Sequence, residues 1–443
     1  MHIFRHNAPD FSANLQKLLR KASSPPGVEG TVREILQAVR ARGDAAVLDY
    51  TARFGGPSLT VRDLLETRTP AVAPKTARVI AAARRNVHTF ARKSLRKDWK
   101  MKNAQGGWTG ERFTPFERVG VYVPGGTAPL VSTAVMTVTL AAAAGVKEIV
   151  VTTPCDKEGR INDALLHALR TSGATEIYKI GGAQAIAALA IGTQTIRGVQ
   201  KIVGPGNSYV VEAKRQVFGE VSIDLLPGPS EVLVIADAQA NPAWVAAELL
   251  AQAEHGKGSG IVLVTDSARL LEAVRTEISL QCESLSRRAH LAGVLENDAY
   301  LVQVKSLRDA VRLCNDYAPE HVSVLTRDAA ALSKGILTAG AIFIGPFSPV
   351  AAGDFLAGPS HTLPTGGGGK SFPGLMADMF QKRTSWVQLN EEALRKSLPV
   401  ISAFSELEGL DAHARSAVIR LQKPDQRVPR KSKQKTKGDT AEP

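Results

Sequence analysis

The sequence predicts an α/β protein made of two parallel-sheet, Rossmann-like domains, with helical segments at both ends. Three observations predict it. From Arg118 to Gly345, short β-branched runs alternate with Ala-rich stretches of ten or more residues, and that alternation implies parallel strands joined by crossover helices. Glycine clusters stand where predicted strands turn into helices. The composition is 44% hydrophobic but only 5% aromatic, which suits an Ala/Val/Leu-rich α/β enzyme and argues against a stacking-based RNA binder or a membrane protein. At 443 residues the chain has room for two or more domains.

In chain order, the first hundred residues are expected to be helical. Apolar residues recur at three- and four-residue intervals over Val32–Phe54 and Thr76–Trp99, with basic residues on the other face. The opening MHIFRHNAPDF has no apolar core of signal-peptide length, so a cytoplasmic protein is expected. In the first alternating region the strands VGVYV, EIVVTT, EIYKI and KIV are separated by helices at 128–144, 161–171, 183–191 and 208–217. Within it, Ala128–Val146 carries no charge over 19 residues but contains Pro129 and four Ser/Thr. It reads as a buried crossover helix and not as a bilayer span. The second alternating region has strands in SEVLVIAD, GIVLVTD, HVSVLT and GAIFIG, with helices at 242–254 and 267–279. Pro346–Gly374 is too rich in Gly and Pro for regular elements and reads as a functional loop. A last helix, about Glu391 to Gln422, is expected to break near Pro399.

Charge and cysteine usage narrow the function. The net charge is +13, and residues 423–443 hold seven basic and three acidic residues with almost nothing apolar. That tail should be disordered and solvated; nucleic-acid binding through it is the less favoured alternative. Anionic cofactors account for part of the remaining positive charge. Cys155, Cys282 and Cys314 are too few and too scattered for a disulfide framework or a thiolate zinc site.

Three glycine turns open helices in the first region: Pro124-Gly-Gly126, Gly181-Gly182 and Gly204-Pro-Gly-Asn207. Backbone N–H groups and helix dipoles favour phosphate at such turns. None matches GxGxxG, yet three in one sheet favour a nucleotide site over ordinary tight turns. Pro364-Thr-Gly-Gly-Gly-Gly-Lys370-Ser371 imitates a P-loop but has Pro364 where the first glycine belongs, and no buried strand precedes it. It is rejected as one.

Four polar clusters carry the chemistry: Gln252-Ala-Glu-His255, Pro319-Glu320-His321, Gly353-Asp354 with Ser360-His361, and Glu408 with His413. They use four of only nine histidines, each near a carboxylate or amide. Neutral imidazoles bind metals or move protons, and carboxylates orient them. Three of the clusters also have a bland reading: a helix-end cap for His255, an Asx turn for Asp354, a solvated helix face for Glu408 and His413. Glu320-His321, at the start of a strand, is an unusual place for two adjacent ionisable groups unless they face a site.

At these segments the chain resembles the histidinol dehydrogenases, which take histidinol to histidine in two NAD-dependent steps. The resemblance runs from about residue 30 to residue 420 and includes RVGVYVPGGTAP, GGAQAIAALA, KIVGPGNSYVVEAKR, IDLLPGPSEVLVIAD, LLAQAEHG, YAPEHV, AGDFLAGPSHTLPTGG and EGLDAHARSAV. It implies a zinc held by Gln252, His255, Asp354 and, from a partner subunit, His413. It implies Glu320 and His321 as the proton-transfer pair, substrate contacts from Ser230, His361 and Glu408 besides the zinc ligands and His321, and NAD contacts from Tyr122, Gln184 and Asn207. It further implies an intertwined homodimer whose C-terminal segment completes the neighbour's site. The expected division is an N-terminal helical segment 1–29, a metal-carrying α/β domain of 30–118 and 232–375, a nucleotide-binding domain 119–231, a helical segment 376–422 and the basic tail 423–443.

Thr137 and Leu140 stand where this family usually has Asn and Pro, Pro227 replaces a usual Ala, and Ser360 replaces a usual Asn. None is an implied ligand or proton-transfer residue, so metal and redox chemistry are expected intact. Ser360 leaves open another small polar alcohol, such as a sulfonated diol, as substrate. A non-enzymatic nucleotide-binding scaffold is the competing class; it predicts neither zinc nor NAD reduction.

Overall fold

A computed structural model describes residues 1–19, 26–125 and 129–422. Gly126 of the first glycine turn and the basic tail 423–443 lie outside these residues. Among the described residues the strands are β1 (His2–Arg5), β2 (Trp99–Lys102), β3 (Trp108–Pro115), β4 (Arg118–Tyr122), β5 (Glu148–Thr152), β6 (Glu176–Tyr178), β7 (Lys201–Val203), β8 (Ser222–Ile223), β9 (Glu231–Ala236), β10 (Gly260–Thr265), β11 (Ala299–Gln303), β12 (His321–Leu325), β13 (Ala341–Ile344) and β14 (Gln381–Gln388). They form sheets ordered β6-β5-β4-β7-β8, β1-β11-β10-β9-β12-β13 and β14-β3-β2. The first two are parallel throughout, as the strand–helix alternation requires.

The chain divides into two units, and both parallel sheets belong to the larger, residues 1–95 and 115–382. In the five-stranded sheet the chain runs outward from β4 to β6, then returns to lay β7 on the other side of β4. In the six-stranded sheet it runs from β9 to β11, then returns to lay β12 beside β9, with His321 opposite Val232. That register brings the residues before β9 and before β12 side by side. β9 and β10 are buried along their whole length, so Val232–Ala236 and Ile261–Val264 read as continuous apolar runs. The uncharged stretch forms the helix Val131–Ala143, buried from Thr133 to Ala141 in the core of the five-stranded sheet. No helix among the described residues is long and apolar enough to cross a membrane.

Several elements differ from the sequence expectation. Residues 2–5 form an edge strand paired with β11. The helices Val28–Arg42, Asp44–Arg53 and Pro74–Ser94 pack chiefly on the helices of the five-stranded sheet, although the expected division groups residues 30–118 with 232–375. Pro74–Ser94 also reaches that part, where Asn86 donates to the Leu356 carbonyl at 3.0 Å. Their apolar stripe, Val28, Val32, Ile35 and Val39, finds its partners in Ala183, Ile186 and Val210. Trp99–Lys102 is a strand and not a helix end. Inside the Gly/Pro-rich stretch lies a short helix, Val350–Phe355, which carries Asp354.

The smaller unit comprises residues 96–114 and those from 383 onward. It joins β14, β3 and β2 to the helices Glu391–Glu408 and Asp411–Val418. Pro399 sits inside the first of these helices without ending it. The break comes at Gly409, whose φ of 66° closes the helix with an N–H bond to Glu406. The Ser405 hydroxyl then accepts from the Ala414 N–H and donates to the Leu410 carbonyl. Glu408 and His413 therefore lie on two helices, one on each side of a braced corner.

Candidate active site

Two pockets of the larger unit gather most of the candidate residues. The first, about 420 Å³, lies at the C-terminal edge of the five-stranded sheet and is lined by Tyr122, Gly125, Gly181, Gly182, Gln184 and Asn207 among others. This is the switch point of the sheet, where β4 and β7 send their turns in opposite directions and where ligands bind open α/β sheets. The Tyr122 hydroxyl accepts from the Gly182 N–H at 3.1 Å, and burial raises its pKa. Gln184 is buried with its Oε1 unpartnered among the described residues. Asn207 caps the helix Ser208–Val217, its Oδ1 accepting from the N–H groups of Tyr209 and Val210 at 3.1 Å.

The Gly204 turn is held by two charges absent from the sequence expectation. Gly204 has φ 116°, and a Cβ there would lie 2.1 Å from the Tyr122 carbonyl oxygen. Its N–H donates to Asp224 Oδ2 at 2.7 Å, and its carbonyl accepts from Lys214 Nζ at 3.0 Å. Lys214 and Asp224 form an ion pair with no side-chain exposure. The available signal was a lysine on the core-facing stripe of a helix.

The second pocket, a cleft of about 270 Å³, is lined by Ser230, His255, Glu320, His321, Asp354 and His361, with Pro124, Pro205 and Gly206 from the glycine turns. Glu320 and His321 enter it at the start of β12, beside Ser230 and Glu231 at the start of β9. Glu320 Oε2 accepts from the Ser230 hydroxyl at 2.5 Å and the Glu231 N–H at 2.9 Å. Burial outweighs those bonds and lifts its pKa to about 7. His321 Nδ1 lies 3.1 Å from the Glu231 carbonyl oxygen. A carbonyl can only accept, so Nδ1 carries the proton and Nε2 keeps its lone pair. Nε2 is buried without a hydrogen-bond partner among the described residues, 3.7 Å from Asp354 Oδ1, and burial lowers the pKa of the ring.

His361 is oriented by the same logic. Nδ1 donates to the Asp354 carbonyl at 3.0 Å, so Nε2 accepts from the Thr133 hydroxyl at 3.1 Å. Burial pushes its pKa down to about 4. A substrate contact at Nε2 would displace the Thr133 hydroxyl.

Of the implied metal ligands, His255 and Asp354 line the cleft. Gln252 is buried on the helix Pro242–Ala253, with its amide nitrogen unpartnered among the described residues. Burial lifts Asp354 to about 6 and lowers His255. A bound cation would favour the ionised carboxylate of Asp354 and the neutral imidazole of His255, the forms in which both side chains can act as ligands. The donor chemistry, amide, imidazole and carboxylate, suits zinc. No group of three or more His, Cys, Asp or Glu arranged for a metal occurs among the described residues; the larger unit offers two of those types plus Gln252. Glu248, not anticipated from the sequence, accepts from the Val350 N–H at 2.8 Å and so anchors the helix that carries Asp354.

Glu408 and His413 belong to the smaller unit and are exposed. His413 lines a hollow of about 630 Å³ there with Leu389, Leu394, Ile401 and Arg420. Among the positions that depart from the usual pattern, Pro227 lines the cleft. Ser360 is buried and accepts from the Thr362 N–H, and Thr137 donates to the Thr133 carbonyl inside its helix.

Comparison with known proteins places this geometry. A family model described as Histidinol dehydrogenase matches residues 18–421. The chain is similar to the histidinol dehydrogenase of Geobacillus kaustophilus (strain HTA426), 44% identical over 396 residues, 88% of this chain and 93% of that protein. It is equally similar to that of Rhizobium meliloti (strain 1021), 44% identical over 418 residues, 93% of this chain and 95% of that one. The crystal structure of histidinol dehydrogenase from Elizabethkingia anophelis superposes with a TM-score of 0.90 at 32% identity, covering 95% of this chain and 98% of that one. The chain thus belongs to the histidinol dehydrogenase family, NAD-dependent oxidoreductases.

Proposed function

We propose that the chain oxidises L-histidinol to L-histidine in two successive NAD-linked steps, within histidine biosynthesis. The observation that carries this reading is the buried pair at the start of β12: an imidazole fixed with Nε2 free, beside a carboxyl group poised near neutrality. His321 Nε2 would take the hydroxyl proton of the alcohol. Glu320, about half ionised near pH 7, would draw a proton from the water that adds to the aldehyde. General acid–base help of this kind contributes about 10²–10⁴ in rate.

The two pockets support a dinucleotide reaching from one to the other. Pro124 and Gly206 line the cleft, while their neighbours Gly125 and Asn207 line the larger pocket. Tyr122, Gln184 and Asn207 would bind the dinucleotide. Gln252, His255 and Asp354, with His413 of a second copy, would hold zinc. When bound, zinc supplies an anchor for the amine and imidazole nitrogens of the substrate and NAD supplies the hydride acceptor. Ser230, His361 and the second copy's Glu408 would complete the substrate's surroundings. A homodimer is further supported by the smaller unit, whose helix Glu391–Glu408 leaves Val400, Phe404 and Leu407 exposed.

The test is stoichiometric. Zinc-loaded protein given limiting histidinol and excess NAD should form two NADH per histidinol and end at histidine. One NADH, or free aldehyde accumulating, refutes the two-step reading.

A further inference from the structure

We infer that Glu231 is a positioning residue for this reaction, holding Glu320, His321 and the cleft-lining loop after Leu363 in one arrangement. The inference rests on the reading of the cleft as the oxidation site. Glu231 is the first residue of β9 and has no exposure. Its main chain serves both members of the proton-transfer pair. The N–H donates to Glu320 Oε2 at 2.9 Å, and the carbonyl accepts from His321 Nδ1 at 3.1 Å. One peptide segment thus sets the carboxylate's position and the imidazole's tautomer together.

The side chain holds that segment from two sides. Oε2 accepts from the Tyr317 hydroxyl at 2.8 Å, and Oε1 accepts from the Gly366 N–H at 2.6 Å. Tyr317 ends the helix Leu307–Tyr317, and Ala318 follows at φ 52° before Pro319 and Glu320. Gly366 follows Thr365, which lines the cleft and whose Oγ1 accepts from the Gly228 N–H at 2.5 Å. Glu231 therefore ties the turn that delivers Glu320 to the loop that walls the cleft. A buried strand residue needs no carboxyl group to pack, and burying one is costly without such donors. What the carboxyl group adds is a fixed distance between three segments. Catalytic geometry is sensitive at that level, since a displacement of about 1 Å can lower turnover about 100-fold.

The experiment compares wild type with Glu231→Ala, Glu231→Gln and Tyr317→Phe in full-length, zinc-loaded protein, reading kcat and KM for histidinol and the thermal midpoint. Positioning predicts that Glu231→Ala loses about 100-fold in kcat with KM within about threefold, and that the near-isosteric Gln restores kcat to within about tenfold of wild type. Tyr317→Phe should lose about fivefold in kcat, and it carries the test if Glu231→Ala does not fold. Folded variants whose kcat stays within about twofold of wild type, with only the thermal midpoint lowered, overturn the inference. The ring-nitrogen ¹⁵N spectrum of His321, assigned by comparison with His321→Asn, adds an arm independent of substrate. Wild type should show a single Nδ1–H tautomer, and Glu231→Ala or Tyr317→Phe a mixture; unchanged tautomers overturn the inference. Wild type inactive on histidinol would defeat the proposed function while leaving this spectroscopic arm to decide on Glu231.

Discussion

The two pockets of the larger unit sit at opposite ends of their strands. The pocket proposed for the dinucleotide follows the C-terminal ends of β4, β6 and β7, and it is built from glycine turns and helix starts. The titratable cleft precedes the N-terminal ends of β9, β10 and β12, and it is built from side chains that meet only through long-range bonds. The residues proposed for the dinucleotide, Tyr122, Gln184 and Asn207, all line the first pocket. Of those proposed for zinc and substrate, Gln252, His255 and Asp354 belong to the larger unit, whereas Glu408 and His413 belong to the smaller one. Binding by turns can be self-contained because backbone groups need only local geometry. Acid–base chemistry needs buried, unpaired side chains, and such groups must be held by distant parts of the fold.

The largest expected effects break the cleft and spare the pocket. His321→Asn should lower both hydride steps about 10³-fold, and Glu320→Gln should chiefly slow aldehyde oxidation. Stopped-flow measurement of the two NADH phases separates these roles, and equal losses in both variants at both steps would count against them. Next, His255→Ala or Asp354→Ala should lose zinc by metal analysis while far-ultraviolet circular dichroism stays native. Full activity after exhaustive chelation would remove zinc from the scheme.

Smaller effects sharpen the pocket side. Lys214→Met leaves Asp224 buried and unpaired, which should cost about 3–5 kcal/mol in denaturant unfolding. The double variant Lys214→Met/Asp224→Leu should recover much of that stability, because a buried ion pair replaced by apolar side chains is often neutral. It loses both holds on Gly204, so its KM for NAD should rise about tenfold while KM for histidinol stays within about twofold. An unchanged KM for NAD would make the ion pair a matter of folding alone.

The same contrast explains what was legible in the sequence. The parallel sheets, the buried helix Val131–Ala143 and the glycine turns follow from period, composition and turn chemistry, all of them local. The clefts's assembly does not: nothing local says that Ser230 meets Glu320 or that His361 meets Thr133. Glu320 and His361 stood out as members of polar clusters and Ser230 entered through resemblance, whereas Thr133 and the orienting residues Glu231, Tyr317 and Glu248 were given no role. A buried Glu opening an apolar strand was the one visible hint. The packing of residues 28–94 was misplaced because an amphipathic helix declares that it has a partner without declaring which sheet supplies it.

The central claim of the scheme is that the cleft is finished by a second copy of the chain. Inactive His255→Ala subunits mixed with inactive His413→Ala subunits test it most directly. In a mixed dimer one site receives both native residues and the other receives both substitutions. With random exchange at equal amounts about half the dimers are mixed, so roughly a quarter of all sites should recover activity. No recovery, with subunit exchange confirmed by differently tagged chains, would show that each chain builds its site alone.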